Sequence, residues 1–148
     1  MTHRTLLAEL GDILGSNALR LPADSDLTRH TADFLGRRRD GVVPLAVAFP
    51  STTHEVSAVM RCCHRHDQPV VVQGGLTGLV AGAQPESGEL VLSLERMRAI
   101  EEIDAASATM TLQAGVTLQA AQSGAAAAGL MFPIDMGSRG TCTIGGNV

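Results

Sequence analysis

Apolar residues recur at helical spacing over Thr5–Leu14, where Leu6, Leu10 and Ile13 share one face, and predict a short amphipathic helix. Residues 15–42 are polar and irregular, with Pro22, Asp24, Asp26 and the run Arg37–Arg39. A solvated surface is the ordinary setting for such a run. A contact to an anionic substrate or cofactor is the alternative. Val43, Leu45, Val47 and Phe49 then alternate with their neighbours, the pattern of a strand, and Pro50 stops it. Thr52 and Glu55 form a capping box ahead of Val56, Val59, Met60 and Cys63, so a helix follows. Pro69 ends it near His66–Gln68 and opens a second apolar run, Pro69–Gln73. Strand, helix and strand make a βαβ unit, whose strands are parallel and whose crossover is right-handed.

Leu90–Leu94 is a third apolar run. Ala99–Asp104 and Thr109–Val116 read as an antiparallel hairpin, with clean alternation through Met110, Leu112, Ala114 and Val116. Thr117–Ala128 is an alanine-rich helix with Leu118, Ala121, Ala125 and Ala128 on one side and Gly129 as its C-cap. Residues 131–148 are irregular and rich in glycine. The expected class is α+β: a small parallel β-α-β-β subdomain over about residues 41–95, then the start of a mainly antiparallel one.

Composition narrows the function. The 148 residues carry a formal net charge of −4, against the basic surface that nucleic acid requires. There is no Trp or Tyr, and Phe34, Phe49 and Phe132 give no platform for stacked bases. No apolar run approaches the roughly 20 residues of a transmembrane helix. The three cysteines are an odd number and do not suggest a disulfide framework. The expected setting is the reducing environment of the cytoplasm.

The chemistry sits in two glycine clusters. The first follows the Pro69–Gln73 strand directly, in VVVQGGLTGLVAGAQP. Adjacent glycines let several backbone N–H groups converge on one anion, most often a phosphate. No Gly-Lys-Ser/Thr follows, so this is not a P-loop. G-G-x-x-G is not the G-x-G-x-x-G dinucleotide fingerprint either. What remains is an N–H nest with one hydroxyl, Thr77, or a tight structural loop. The second cluster lies in FPIDMGSRGTCTIGGN, where glycines permit close approach to a flat ligand and Thr141, Thr143 and Asn147 offer polar side chains.

The order of these segments closely resembles the FAD-binding domain of FAD-linked oxidases of the vanillyl-alcohol oxidase or p-cresol methylhydroxylase type, over roughly residues 28–148. Within that family it is most similar to the D-2-hydroxyacid dehydrogenase branch: D-2-hydroxyglutarate dehydrogenase, D-lactate dehydrogenase and the glycolate oxidase flavin subunit. The resemblance implies that Gln73, Gly74, Gly75, Leu76, Thr77, Gly78 and Leu79, closed by Gly82 and Ala83, hold the FAD pyrophosphate. It maps the second segment, which borders pyrophosphate and isoalloxazine, to Pro133, Met136, Gly137, Gly140, Thr141, Gly145, Gly146 and Asn147. No His lies between residues 67 and 148, so the implied FAD is non-covalent.

The family motif continues past I-G-G-N to Asn-Ala-Gly-Gly. The expected organisation is therefore a lead-in over residues 1–40 and a FAD-binding domain over 41–148, incomplete at its C-terminus and without the substrate domain. No catalytic residue is assigned within this chain. The implied partners are a small 2-hydroxyacid and a separate electron acceptor, and a homo-oligomer is compatible with the family. The alternative is a non-catalytic remnant, or a subunit completed by another polypeptide.

Two further clusters carry less. On a helix Cys63 falls on the apolar face with Val59 and Met60, and of Cys62, Cys63, His64 and His66 only Cys62 and His66 share a face. Two ligands fall short of the four of a structural zinc site, so no metal is expected. Asp135 and Arg139 read as a local ion pair or a flavin contact.

Overall fold

A computed structural model describes residues 3–23 and 26–148. Asp24, part of the polar run noted above, lies outside the described residues. The chain forms two compact units: one of residues 3–73 and 78–94, the other of residues 74–77 and 95–148.

The first unit is built on strands β1 (Leu19–Arg20), β2 (Ala46–Ala48), β3 (Val70–Gln73) and β4 (Leu90–Ser93), in the spatial order β1-β2-β4-β3. β2, β4 and β3 run parallel, with Val47 and Val71 both opposite Val91. β1 pairs antiparallel with β2. Three helices accompany them: α1 (His3–Leu14), α2 (Thr28–Thr31) and α3 (Thr53–Arg65).

Apolar side chains pack on both faces of this sheet. Ala46, Ala48, Leu90 and Leu92 cluster with Leu6 and Leu10 of α1 and with Val59, Cys62 and Cys63 of α3. Val47, Val91 and Phe49 pack with Ala18 and Leu27 on the opposite face. Burial on both sides explains why β2 and β4 are buried at every position, as parallel strands usually are. It also corrects the expected strand over Val43–Phe49. The ladder begins only at Ala46, and Val43 is exposed.

The α3 cap forms as expected. Thr52 Oγ1 accepts from the Glu55 N–H at 3.1 Å, while the Glu55 carboxylate reaches back to the Ser51 N–H at 2.6 Å. The inward face differs from expectation: Cys62 as well as Cys63 is buried, and Met60 is exposed. α1 covers the Cys62 side of the helix, which the sequence of α3 alone does not reveal. Residues 15–42, read as irregular, hold β1, a 3-10 turn at Ser16–Ala18 and α2. Each arginine of the Arg37–Arg39 run is exposed and has a partner, in Asp33, Thr28 and Glu86 respectively.

The second unit holds the hairpin β5 (Ile100–Asp104) and β6 (Thr109–Leu112), helix α4 (Leu118–Ala127) and a 3-10 turn at Ile144–Gly146. A bulge interrupts the hairpin register between Ile100 and Glu102. Thr117 caps α4 by accepting from the Ala120 N–H at 3.2 Å. Gly129, at φ +72, ends it in the left-handed conformation that glycine tolerates.

Glu9 of α1 ties the first unit's helices together. It accepts from Arg65 at 2.8 Å and pairs with His66 at 3.0 Å. The Arg65 hydrogen bond, helped by His66, holds its carboxyl down from 4.5 to about 2. A carboxyl lowered on folding stabilises above its unfolded value and loses that contribution as pH falls toward its folded one. Glu9→Gln is therefore expected to lose less melting temperature than wild type as pH falls from 4.5 to about 2, the remaining fall coming from Asp26, Asp33 and Asp104. Circular-dichroism melts across that range check it; identical acid limbs would contradict it.

Candidate functional site

The two glycine clusters meet within the second unit. Residues 74–77 belong to it, although the strand leading into them belongs to the first. A Cβ on Gly75 would lie 2.8 Å from the Thr141 carbonyl carbon and 2.9 Å from Cys142 Cα, with the Thr141 carbonyl oxygen closer still. These are backbone atoms, so no rotamer change relieves the clash. Gly75 is glycine because two main chains touch there.

Thr143 closes the same contact. A Cβ on Gly74 would run into its Oγ1, and one on Gly146 would lie 3.2 Å from that atom. Thr143 is buried, and its hydroxyl is without a hydrogen-bond partner among the described residues. An orphaned buried hydroxyl costs roughly 1–3 kcal/mol and is rare enough to need a reason. Sequence reading noted this hydroxyl but did not place it among the site residues. Its type and its neighbouring Gly-Gly were the available signal; its burial was not.

Loop 74–79 offers donors. Among the described residues, none of its backbone N–H groups donates a hydrogen bond to the protein. Leu76 sits at φ +58, in the left-handed region. A left-handed residue within a run of undonated N–H groups is the setting in which anion nests form. Thr77 adds a half-buried hydroxyl.

The second segment contributes differently. The N–H groups of Thr141 and Cys142 both donate to the Ser138 carbonyl at 2.8 Å. Those of Ile144 and Gly145 donate to Val116 and Ala114 at 2.8 and 2.9 Å, and those of Gly146 and Asn147 close the 3-10 turn. Its amides from Thr141 to Asn147, Thr143 apart, are committed in this way, so that stretch offers shape, exposed glycines and side chains rather than a nest.

The remaining expected site residues are distributed. Gln73 is fully buried. Its amide donates to the Ala83 carbonyl at 2.7 Å and the His30 carbonyl at 2.8 Å, and its Oε1 meets His30 Nδ1 at 2.8 Å. Its side chain therefore anchors the loop's two ends. Gly78, Leu79 and Gly82 are exposed. They and Ala83 group with the first unit. Pro133 lines an apolar cavity of about 360 Å³ with Ile103, Met110, Leu130 and Phe132, away from the glycine contact. Met136 accepts from the Arg139 N–H, and Gly137 and Gly140 lie in the exposed turn that follows. Asp135 and Arg139 form an exposed ion pair at 3.2 Å.

Left-handed geometry disfavours leucine by roughly 1–2 kcal/mol, and asparagine tolerates it better. Leu76→Asn should therefore raise unfolding free energy by about 0.5–1 kcal/mol, read from urea titrations. Gly75→Ala should lower it by about 1–3 kcal/mol through overpacking. A neutral Gly75→Ala would contradict the backbone contact.

Residues 44–148 match the family model described as the FAD binding domain. A D-2-hydroxyglutarate dehydrogenase of Xanthomonas citri pv. viticola is 43% identical over 132 residues, which are 88% of this chain and 28% of that protein. Among solved structures, an alkyldihydroxyacetonephosphate synthase superposes with a TM-score of 0.86 at 19% identity, over 99% of this chain and 29% of that one. A p-cresol methylhydroxylase does so with a TM-score of 0.72 at 19% identity, over 86% and 25% respectively. At such identities the structures speak for the fold alone, and they bear out the expected p-cresol methylhydroxylase-type α+β architecture. The chain spans less than a third of the length of each of these proteins. With the family model covering most of its length, the chain belongs to the FAD-binding-domain family.

Proposed function

We propose that this chain holds FAD non-covalently, as the flavin-binding part of an oxidoreductase that converts a D-2-hydroxyacid to the 2-oxoacid. The observation that carries the reading is the run of unpartnered N–H groups at 74–77, backed by Thr143 and its orphaned hydroxyl. The residues present fit a diphosphate. Gly74, Gly75, Leu76, Thr77, Gly78 and Leu79 hold its oxygens through main-chain donors, which cost no side-chain entropy. Gln73 and Ala83 fix the ends of that loop.

Gly140, Thr141, Gly145, Gly146 and Asn147 form the neighbouring wall, with Gly137, Met136 and Pro133 on its approach. Thr143 lies against glycine at 74 and 146, so a small loop displacement brings its hydroxyl to a cofactor oxygen. When bound, the flavin supplies the two-electron acceptor. The chain binds and orients it, and no side chain here is assigned a proton-transfer role. No His lies between residues 67 and 148, which supports non-covalent attachment through this segment.

The substrate class rests on the D-2-hydroxyglutarate dehydrogenase relative. We take residues 41–148 as the FAD-binding segment and 1–40 as its lead-in. The electrons pass on to a separate acceptor. Three free cysteines fit a reducing, cytoplasmic setting. No helix among the described residues is long and apolar enough to cross a membrane.

Thr143→Val separates a cofactor contact from a packing role, because the two effects have opposite signs. Without FAD, replacing the orphaned hydroxyl with a methyl should leave the melting temperature unchanged or raised. With FAD, a lost hydrogen bond to a charged group weakens binding by about tenfold or more, while Thr143→Ser keeps it. Flavin-fluorescence titration reads the affinity. For the substrate class, a flavin-loaded protein carrying this domain should be bleached anaerobically by D-2-hydroxyglutarate or D-lactate. Bound flavin that no 2-hydroxyacid reduces would overturn that part.

A further inference from the structure

Outside the glycine cradle, one cluster brings together side chains of metal-binding character. Cys62 lies in the last turn of α3 and His66 caps its C-terminus four residues on, and α1 lays Glu9 beside both. Cys62 Sγ lies 3.4 Å from Glu9 Oε2, and His66 Nε2 lies 3.0 Å from Glu9 Oε1. One donor atom from each of the three residues falls within 4.8 Å of the others. Bond lengths of about 2.0–2.3 Å to tetrahedral zinc place neighbouring donors about 3.4 Å apart. The donors lie between 3.0 and 4.8 Å apart, around that value, so an ion enters with adjustments of about 1.5 Å or less.

We propose that Glu9, Cys62 and His66 form a transition-metal site, of zinc or cobalt preference, that staples α1 to α3. Thiolate, imidazole and carboxylate together select these ions over magnesium or calcium, which prefer oxygen alone. Cys62 and the His66 side chain are buried, while Glu9 is about one-third exposed at 35%. His66 also lines a cavity of about 320 Å³ whose other walls include His3, Gln68 and Glu89. Glu9, partly exposed, opens the cluster to solvent, from which a water serves as fourth ligand.

In the metal-free protein the same groups form the hydrogen-bonded clamp already described. Arg65 keeps Glu9 ionised, and burial, with Glu9 beside it, holds Cys62 as a thiol. On binding, the Cys62 sulfur–hydrogen bond breaks and its proton passes to solvent. Sulfur, His66 nitrogen and Glu9 oxygen each form a bond to the ion. Arg65, whose side chain is 59% exposed, turns outward to water. No oxidation or reduction takes place.

Cobalt(II) titration of the flavin-free chain tests this. Without Trp or Tyr the protein is nearly transparent in the near ultraviolet, where thiolate-to-cobalt charge transfer absorbs. A one-to-one complex with that band is expected, bleached by zinc. Cys62→Ser should abolish the band. Glu9→Gln, at a partly exposed position, should fold normally by circular dichroism and bind about tenfold more weakly or worse. It decides the matter if Cys62→Ser does not fold. No one-to-one complex, a band that survives Cys62→Ser, or unchanged affinity in Glu9→Gln would overturn the proposal.

Discussion

Main chain touching main chain, at Gly75 against Thr141 and Cys142, is the constraint on which this architecture rests. Two loops distant in sequence come this close only because residue 75 carries no Cβ. The bare backbone of Gly75 lies directly on the main chain of the other loop. One loop arrives with its donors unspent; the other has spent most of its own on residues 114–118 and on its own turns. The first is thus a nest and the second a rigid wall.

That division needs the first loop to be held at its ends. The parallel pairing of β3 with β4 fixes where the loop departs. Buried Gln73 then fixes its return, by bonding the Ala83 carbonyl with the amide that also holds His30. His30 in turn meets Phe49 edge-on at 5.4 Å, which links the network to the apolar face around Val47 and Val91. A buried amide with both donors used is stable where a half-satisfied one would not be. Strain is left at Leu76 and a missing partner at Thr143. Functional sites are where such failures concentrate.

Much of this was legible in the sequence. The Thr52–Glu55 cap, the βαβ order and Gly129 as terminator follow from local chemistry, and they form as read. The hairpin forms too, but its second arm ends at Leu112 rather than Val116. What escaped depends on distant neighbours. β1 is two residues long and exists only as a partner of β2. Cys62 is buried because α1 covers it, and Val43 is exposed although its alternation was correct. Residues that looked equivalent in the glycine loop divide between two compact units. No periodicity encodes that division, nor the loss of hydrogen-bonding partners around the Thr143 hydroxyl.

The central claim is that the main-chain donors of residues 74–79 receive a diphosphate. Amide chemical shifts test it most directly, in the nitrogen-labelled chain titrated with FAD and, separately, with riboflavin, which has no phosphate. The account predicts large downfield amide-proton shifts confined to residues 74–79 and their contacts at 141–146 with FAD, and none at 74–79 with riboflavin. Equal perturbation of 74–79 by both ligands, or saturation by FAD with those amides unmoved, would contradict it.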